Sequence, residues 1–208
     1  MTISFPLQLP AFPDAAAVTI SPLNTVAILT SPFSLKQQVQ RFGGQLWQAD
    51  IELRSMPLAV AAPWTAMLLA LNGRQGTVLV GNPYAAAPFG AATGTPLVDG
   101  ASQAGATLAT KGWTPSVTGI LKAGDSIQLG SGAETRLHQV LEDADSDGTG
   151  LASLTLWPDL RDSPADGAAV VTQSPKGTFR QSANDSGWTA DDRGLIQITL
   201  GLIEALDG

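Results

Sequence analysis

Between Phe33 and Val80 the chain passes from alternating polar and apolar positions, through a block that is almost wholly apolar, to a short run of aliphatic residues. The alternating runs PFSLKQQVQRF and QLWQADIELRSM flank Gly43-Gly44, and a glycine pair between such runs predicts a β-hairpin turning at that pair. Each hairpin strand would hold about ten residues, against the usual five or six. Its outward positions are polar: Lys36, Gln38 and Gln40 before the glycines, with Arg41 beside them, and Gln45, Gln48, Asp50, Glu52 and Arg54 after. A ribbon this long is marginal alone and leaves unpaired backbone along its edges. Copies of the chain are therefore expected to pair those edges and close a ring.

Val60, Trp64, Met67, Leu68 and Leu71 follow at the i, i+4, i+7, i+8, i+11 spacing of a helix with one apolar stripe. Its start is expected between Pro57 and Pro63, with Pro63 in the first turn, and Asn72-Gly73 is a stop signal. Trp64, Leu68 and Leu71 are the expected core anchors. Gly76 to Gly81 reads as a buried strand ended by Asn82-Pro83, and Tyr84 to Thr118 as loop with a few short strands. From Trp113 the rhythm is β, through GILKAGDSIQLG, TRLHQVLED and GLASLTLWPDL, then short strands at Ala169 to Thr172 and Gly177 to Gln181. The closing GLIQITLGLIEAL reads as a strand packing Leu195, Ile196, Ile198 and Leu200, weakened in its middle by Gly201. That strand is expected to complete the first sheet. The expected organisation is residues 1–82 with 183–208 as one domain, and 83–182 as an inserted small β-barrel projecting away from it.

Composition agrees with a mainly β protein. With 208 residues the chain can bury one large core or two small ones, and 22 Gly, 14 Pro and only 14% charged residues suit short strands joined by turns. The absence of cysteine excludes disulfides and thiolate metal sites. A net charge of −7 argues against general binding to a phosphate backbone, yet is compatible with a polyanion passing without sticking. No apolar run reaches the roughly 20 residues of a membrane span, and Met1 to Phe12 lacks the pattern of a leader. The expectation is a soluble protein made in a cytoplasm.

Candidate chemistry is sparse. His138 is the only histidine, no G-x-S-x-G elbow accompanies it, and Ser131 sits in a Gly-Ser-Gly turn, so no catalytic residue is assigned. Asp143, Asp145, Asp147 and Gly148 copy the first half of a calcium loop, but Leu154 stands where the bidentate Glu belongs, which makes an acidic turn the better reading. Asp125 and the Asp191, Asp192, Arg193 group read as turn residues, and GAATG lacks the lysine and flanking elements of a phosphate loop. No cofactor is implied. Trp113, Trp157 and Trp188 with Tyr84 would form a stacking platform for sugars if they converged, which is the basis of the alternative, a carbohydrate-binding module for host-surface attachment.

The segments PFSLKQQVQRFGGQLWQADIELRSMP, WTAMLLALNGRQGTVLVGNP and GWTPSVTGILKAGDSIQLGSGAETRLHQVLEDADSDGTGLASLTLWPDLR resemble minor tail proteins of long-tailed bacteriophages and prophages. Within that group the layout is most similar to the distal tail protein. The resemblance implies a tail-tube-like β-sandwich or split barrel with one packed helix, assembling as a hexameric ring, and a peripheral barrel. It implies a virion tail-tip location, the tail tube and tail hub proteins as partners, fibre or receptor-binding proteins at the periphery, and a lumen crossed by DNA without specific binding. The peripheral barrel here is inserted and not C-terminal, a departure from the family pattern.

Overall fold

The computed structural model describes residues 3–13 and 16–206; Met1, Thr2, Asp207 and Gly208, at the ends of the expected first domain, lie outside the described residues. In chain order the strands are β1 (Leu7–Gln8), β2 (Ala16–Thr30), β3 (Gln37–Pro57), β4 (Val78–Val80), β5 (Gly94–Val98), β6 (Gly105–Trp113), β7 (Ser126–Leu129), β8 (Arg136–Val140), β9 (Ala152–Leu160), β10 (Gly177–Gln181), β11 (Trp188–Ala190) and β12 (Leu195–Glu204). One helix, α1 (Leu58–Leu71), joins β3 to β4. The fold is mainly β. A mixed seven-stranded sheet runs β1-β4-β10-β12-β3-β2, with β11 also paired to β12, and a curled five-stranded antiparallel sheet runs β5-β6-β9-β8-β7. Ala169 bridges to Leu97 of β5 and Val171 to Gln128 of β7, so one short segment ties the two edges of the curled sheet together.

The hairpin expected around Gly43-Gly44 does not form: both of its runs belong to one strand, β3, and the hairpin that does form is β2–β3. β3 runs through both glycines, and its partner is β2, paired from Ala16↔Leu53 to Thr30↔Gln37. The turn lies at Ser31 to Lys36, where Ser31 N–H donates to the Lys36 carbonyl at 2.9 Å and Leu35 takes a positive φ of 55°. At the glycines the register jumps from Val26↔Arg41 to Asn24↔Gln45, a bulge on β3. Thr25 Oγ1 accepts the Gly44 N–H at 2.8 Å and donates to the Gly44 carbonyl at 3.1 Å, and a Cβ on Gly44 would collide with that hydroxyl. A glycine pair supplies the backbone freedom that either a turn or a bulge requires, which is why the two readings compete in sequence.

β3 buries Trp47, Ala49, Ile51 and Leu53 on one face, then Met56. The change of parity comes from a second bulge at Arg54-Ser55, because Ile196 pairs with Met56 while Ile198 pairs with Leu53. β12 supplies Ile196, Ile198, Leu200 and Leu202 to the same core, and completes the sheet as expected from its pattern. Gly201 pairs with Asp50, and a Cβ there would meet Ser182 Oγ, so the glycine provides clearance at a crowded position.

α1 packs Ala61, Trp64, Met67, Leu68 and Leu71 on this core. The stripe is rotated from the expected one. Val60 is exposed and Ala61 takes its place, and Pro63 is the sixth helical residue, not a first-turn one. Pro63 faces solvent, where water can reach the carbonyl its ring leaves unbonded. Pro57 precedes the first turn, and Asn72 ends the helix in the left-handed conformation at φ 50°.

A second core, including Leu108, Ile120, Leu121, Ile127, Leu154 and Leu156, fills the curled sheet. β6, nine residues long, lies in the stretch expected to be mostly loop. β10 falls within the expected insertion but pairs with β4 and β12 in the large sheet, with Gly177 opposite Val80. The module also does not project freely. It docks against the large sheet through Trp47, whose Nε1 donates to the Leu137 carbonyl at 2.9 Å and whose ring meets Trp157 edge-on at 4.3 Å.

Candidate functional site

The β2–β3 hairpin outruns the sheet that carries it. β12 covers β3 only from Gln48 to Pro57, so beyond the Thr25/Gly44 bulge the hairpin continues as a two-stranded arm ending at Ser31 to Lys36. Lys36, Gln38, Gln40 and Arg41 all lie on this arm and are exposed. Between them the arm exposes apolar side chains that the expected polar ribbon did not include. Val26, Ile28 and Val39 share one face by register, Leu29 stands on the other, and Phe33 and Leu35 are at the tip. Burial of such side chains drives association, so an arm that leaves them bare in one chain is built to be covered.

Gln48, Asp50, Glu52 and Arg54 lie below the bulge, on the face of β3 opposite the core, and the last three are exposed. Across the sheet, Asp50 stands between Thr19 and Gly201, and Glu52 between Ala17 and Thr199. This open face is polar and carries both signs of charge, Asp50 and Glu52 with Arg54 and Arg180. Trp64, Leu68 and Leu71 are core residues, as their spacing indicates; Trp64 packs against Phe12 at 5.4 Å and donates from Nε1 to the Ala11 carbonyl at 3.3 Å.

Gln45 belongs to a third group, at the root of the arm. Its Oε1 accepts the Asp159 N–H at 2.7 Å, its carbonyl accepts from Arg161 Nη2, and Trp157 Nε1 donates to Asn24 Oδ1 at 3.2 Å. Arg161 reaches on to Glu204 in a two-pronged ion pair, Nη1 to Oε1 at 3.1 Å and Nη2 to Oε2 at 3.0 Å, while Trp47 N–H donates to Glu204 Oε2 at 3.1 Å. Arg161 and Glu204 thus clamp the end of β9 to the end of β12 beside the arm root. Neither residue stands out as a site in the sequence, yet Glu204 occupies the buried parity of β12, after Leu200 and Leu202, where a lone carboxylate calls for a partner.

A cleft of about 610 Å³ beside the clamp is lined by Ser131, Arg136, His138, Arg161 and Ser163 among others. His138 Nδ1 lies 2.8 Å from the Pro158 carbonyl, which fixes the proton there, and burial pushes the imidazole below its ordinary pKa despite that bond. A carbonyl brings no negative charge to hold an imidazolium, unlike the carboxylate of a catalytic triad.

The acidic series diverges. Asp143 binds Lys122 Nζ at 2.8 Å and the Ala123 N–H at 2.9 Å; Asp145 accepts the Gly119 N–H at 2.6 Å; Asp147 accepts from Thr149 and from the Leu151 N–H at 2.9 Å. The Lys122 ammonium holds the Asp143 carboxyl below the usual range, and the Leu151 and Thr149 donors do the same for Asp147. Among the described residues no three metal-ligating side chains converge. Asp125 ties the Phe89 and Gly90 N–H groups to the turn at Lys122, and Asp191 accepts the Arg193 and Leu195 N–H groups. The aromatic residues separate as well. Trp113 is buried with Nε1 on Thr110, Trp157 is packed on Trp47, and Tyr84 bonds the Ala16 carbonyl.

No family model matches the chain, and no curated protein matches it significantly. No helix among the described residues is long and apolar enough to cross a membrane.

Proposed function

We propose that this chain is a structural virion protein of a bacteriophage tail tip, a subunit of a hexameric ring that joins the tail tube to the tail hub and lets DNA pass. The observation that carries the reading is the arm: a hairpin that extends past its own sheet, with Val26, Ile28, Val39 and Phe33 uncovered. In a ring, head-to-tail contact gives every arm a recipient and leaves no open end. β2, at the edge of the large sheet, offers a further row of backbone groups for pairing. The resemblance of the three sequence segments to distal tail proteins supplies the tail-tip location, the six-fold count and the tube and hub partners.

In this reading the open sheet face turns toward the lumen. Asp50 and Glu52 are matched there by Arg54 and Arg180, a near-neutral balance that offers DNA phosphates no net attraction and lets the duplex slide. The curled module faces the periphery, held by the Arg161–Glu204 clamp, where fibre or receptor-binding proteins attach.

Replacing Ala27 to Gln40, which pair with each other across the arm, by an Asn-Gly turn tests the reading. The shortened chain should unfold at the wild-type denaturant midpoint and fail to assemble, and antibodies to the intact chain should decorate the tail end of purified particles. A shortened chain that assembles like the wild type, or particles without the chain, would refute it.

A further inference from the structure

α1 contains no charged residue. Its sole hydroxyl, on Thr65, is turned back onto the Ala62 carbonyl at 3.0 Å. Ala61, Trp64, Met67, Leu68 and Leu71 account for one side of the helix, but the other side is equally apolar and faces outward: Leu58, Ala62, Ala66 and Leu69 follow the i, i+4, i+8, i+11 spacing of a single stripe. Leu58 is 63% exposed and Leu69 71%. A surface helix of a lone globular subunit carries polar residues on its outer face, and a helix apolar all round is one that is covered.

The same chain holds a second uncovered apolar surface, on the arm. Ile28 is 58% exposed and shares its face with Val26 and Val39, and Phe33 at the tip is 98% exposed. Neither surface covers the other within one chain, since both are bare. The arm and the rest of the chain carry opposite net charge. Lys36 and Arg41 are the charged residues between positions 16 and 42, so this segment is +2 in a chain of net −7, leaving −9 on the rest. A cationic apolar arm is repelled by a second arm and drawn to the acidic body of another copy.

We infer that the Val26, Ile28, Val39 face and the Phe33 tip of one copy lie across the Leu58 to Leu69 face of α1 on the next copy. Two different patches of one chain that fit each other give a head-to-tail contact, which propagates and closes when the rotation allows. This inference rests on the ring reading and adds which surface receives the arm. It also explains a helix that keeps Leu58, Val60 and Leu69 outward, where charged residues would serve a monomer better.

The absence of cysteine makes the test direct. Ile28→Cys, Phe33→Cys and Val39→Cys are each mixed with Ala62→Cys or Leu69→Cys at concentrations where the wild type is oligomeric, then oxidised. A disulfide requires the two Cα atoms to come within about 7 Å. Arm-to-helix dimers should form in the mixtures, and Leu69→Asp should weaken assembly at least about tenfold while leaving the unfolding midpoint in place. An oligomer that yields only arm-to-arm or helix-to-helix bonds, a Leu69→Asp chain that assembles normally, or a helix that in particles links only to a different protein would overturn the inference and leave the ring standing. A chain that is monomeric both alone and in particles would remove the ring reading and this inference with it.

Discussion

Arg161→Met should destabilise the chain more than replacing both members of the clamp. The Glu204 side chain is 1% exposed and accepts two guanidinium bonds and one backbone N–H, while the Arg161 side chain keeps 26% of its surface. Removing one partner of a fully buried pair costs about 3 to 5 kcal/mol, because the other charge stays behind without compensation. Solvent at Arg161 screens part of this, so about 2 to 4 kcal/mol is expected here. Arg161→Met/Glu204→Met removes both charges and should recover at least half of that loss. Urea unfolding followed by tryptophan fluorescence is a suitable assay, since Trp47 and Trp157 sit at the same junction. A single-variant loss under about 0.5 kcal/mol, or a double variant as unstable as the sum of the two single ones, would refute a desolvated clamp.

Trp64→Ala should cost about 3 to 5 kcal/mol and Leu68→Ala about 2 to 5 in the same assay, since both are buried between helix and sheet; less than about 0.5 for both would contradict that packing. Gly44→Val should distort the arm root, seen as amide shift changes on both sides of the bulge, and Thr25→Ala should relieve part of the distortion by removing the hydroxyl that meets the new side chain. His138 gives a pH signature. Its native pKa lies below the ordinary 6.5, so between that value and the lower native one the unfolded chain takes up a proton the native chain refuses. Stability should therefore fall as pH drops through this window and be unaffected by the ring above it, and His138→Phe should flatten the profile; an unchanged slope would show that the buried imidazole does not titrate as described.

Apolar runs, alternation and stop signals make several elements legible one by one. The closing strand is legible because its apolar positions alternate, and Val78–Val80 because it is a short apolar run bounded by Gly76 and Asn82-Pro83. The helix is legible because of its length and its Asn72-Gly73 stop, although its two sides are equally apolar. Errors arose where tertiary pairing decides between local options. Gly43-Gly44 satisfies both a turn and a bulge, and the choice depends on β2, whose AAVTISPLNTVAILT shows no clean alternation. β10 is too short to declare its sheet, and only its pairing with β4 and β12 does so. Of the candidate site, the polar positions on β3 were legible one by one, but their division among arm, root and open face was not. The clamp was missed for a different reason. Glu204 on an apolar parity is a visible signal, whereas Arg161, 43 residues away, carries no pattern that identifies it as the partner.

Averaged images of the purified chain at high concentration test the ring most directly. The arms should close it into a ring with a central opening, lined by the face bearing Asp50 and Glu52, and with the curled modules outward. A strict monomer, both in solution and in assembled particles, would contradict it.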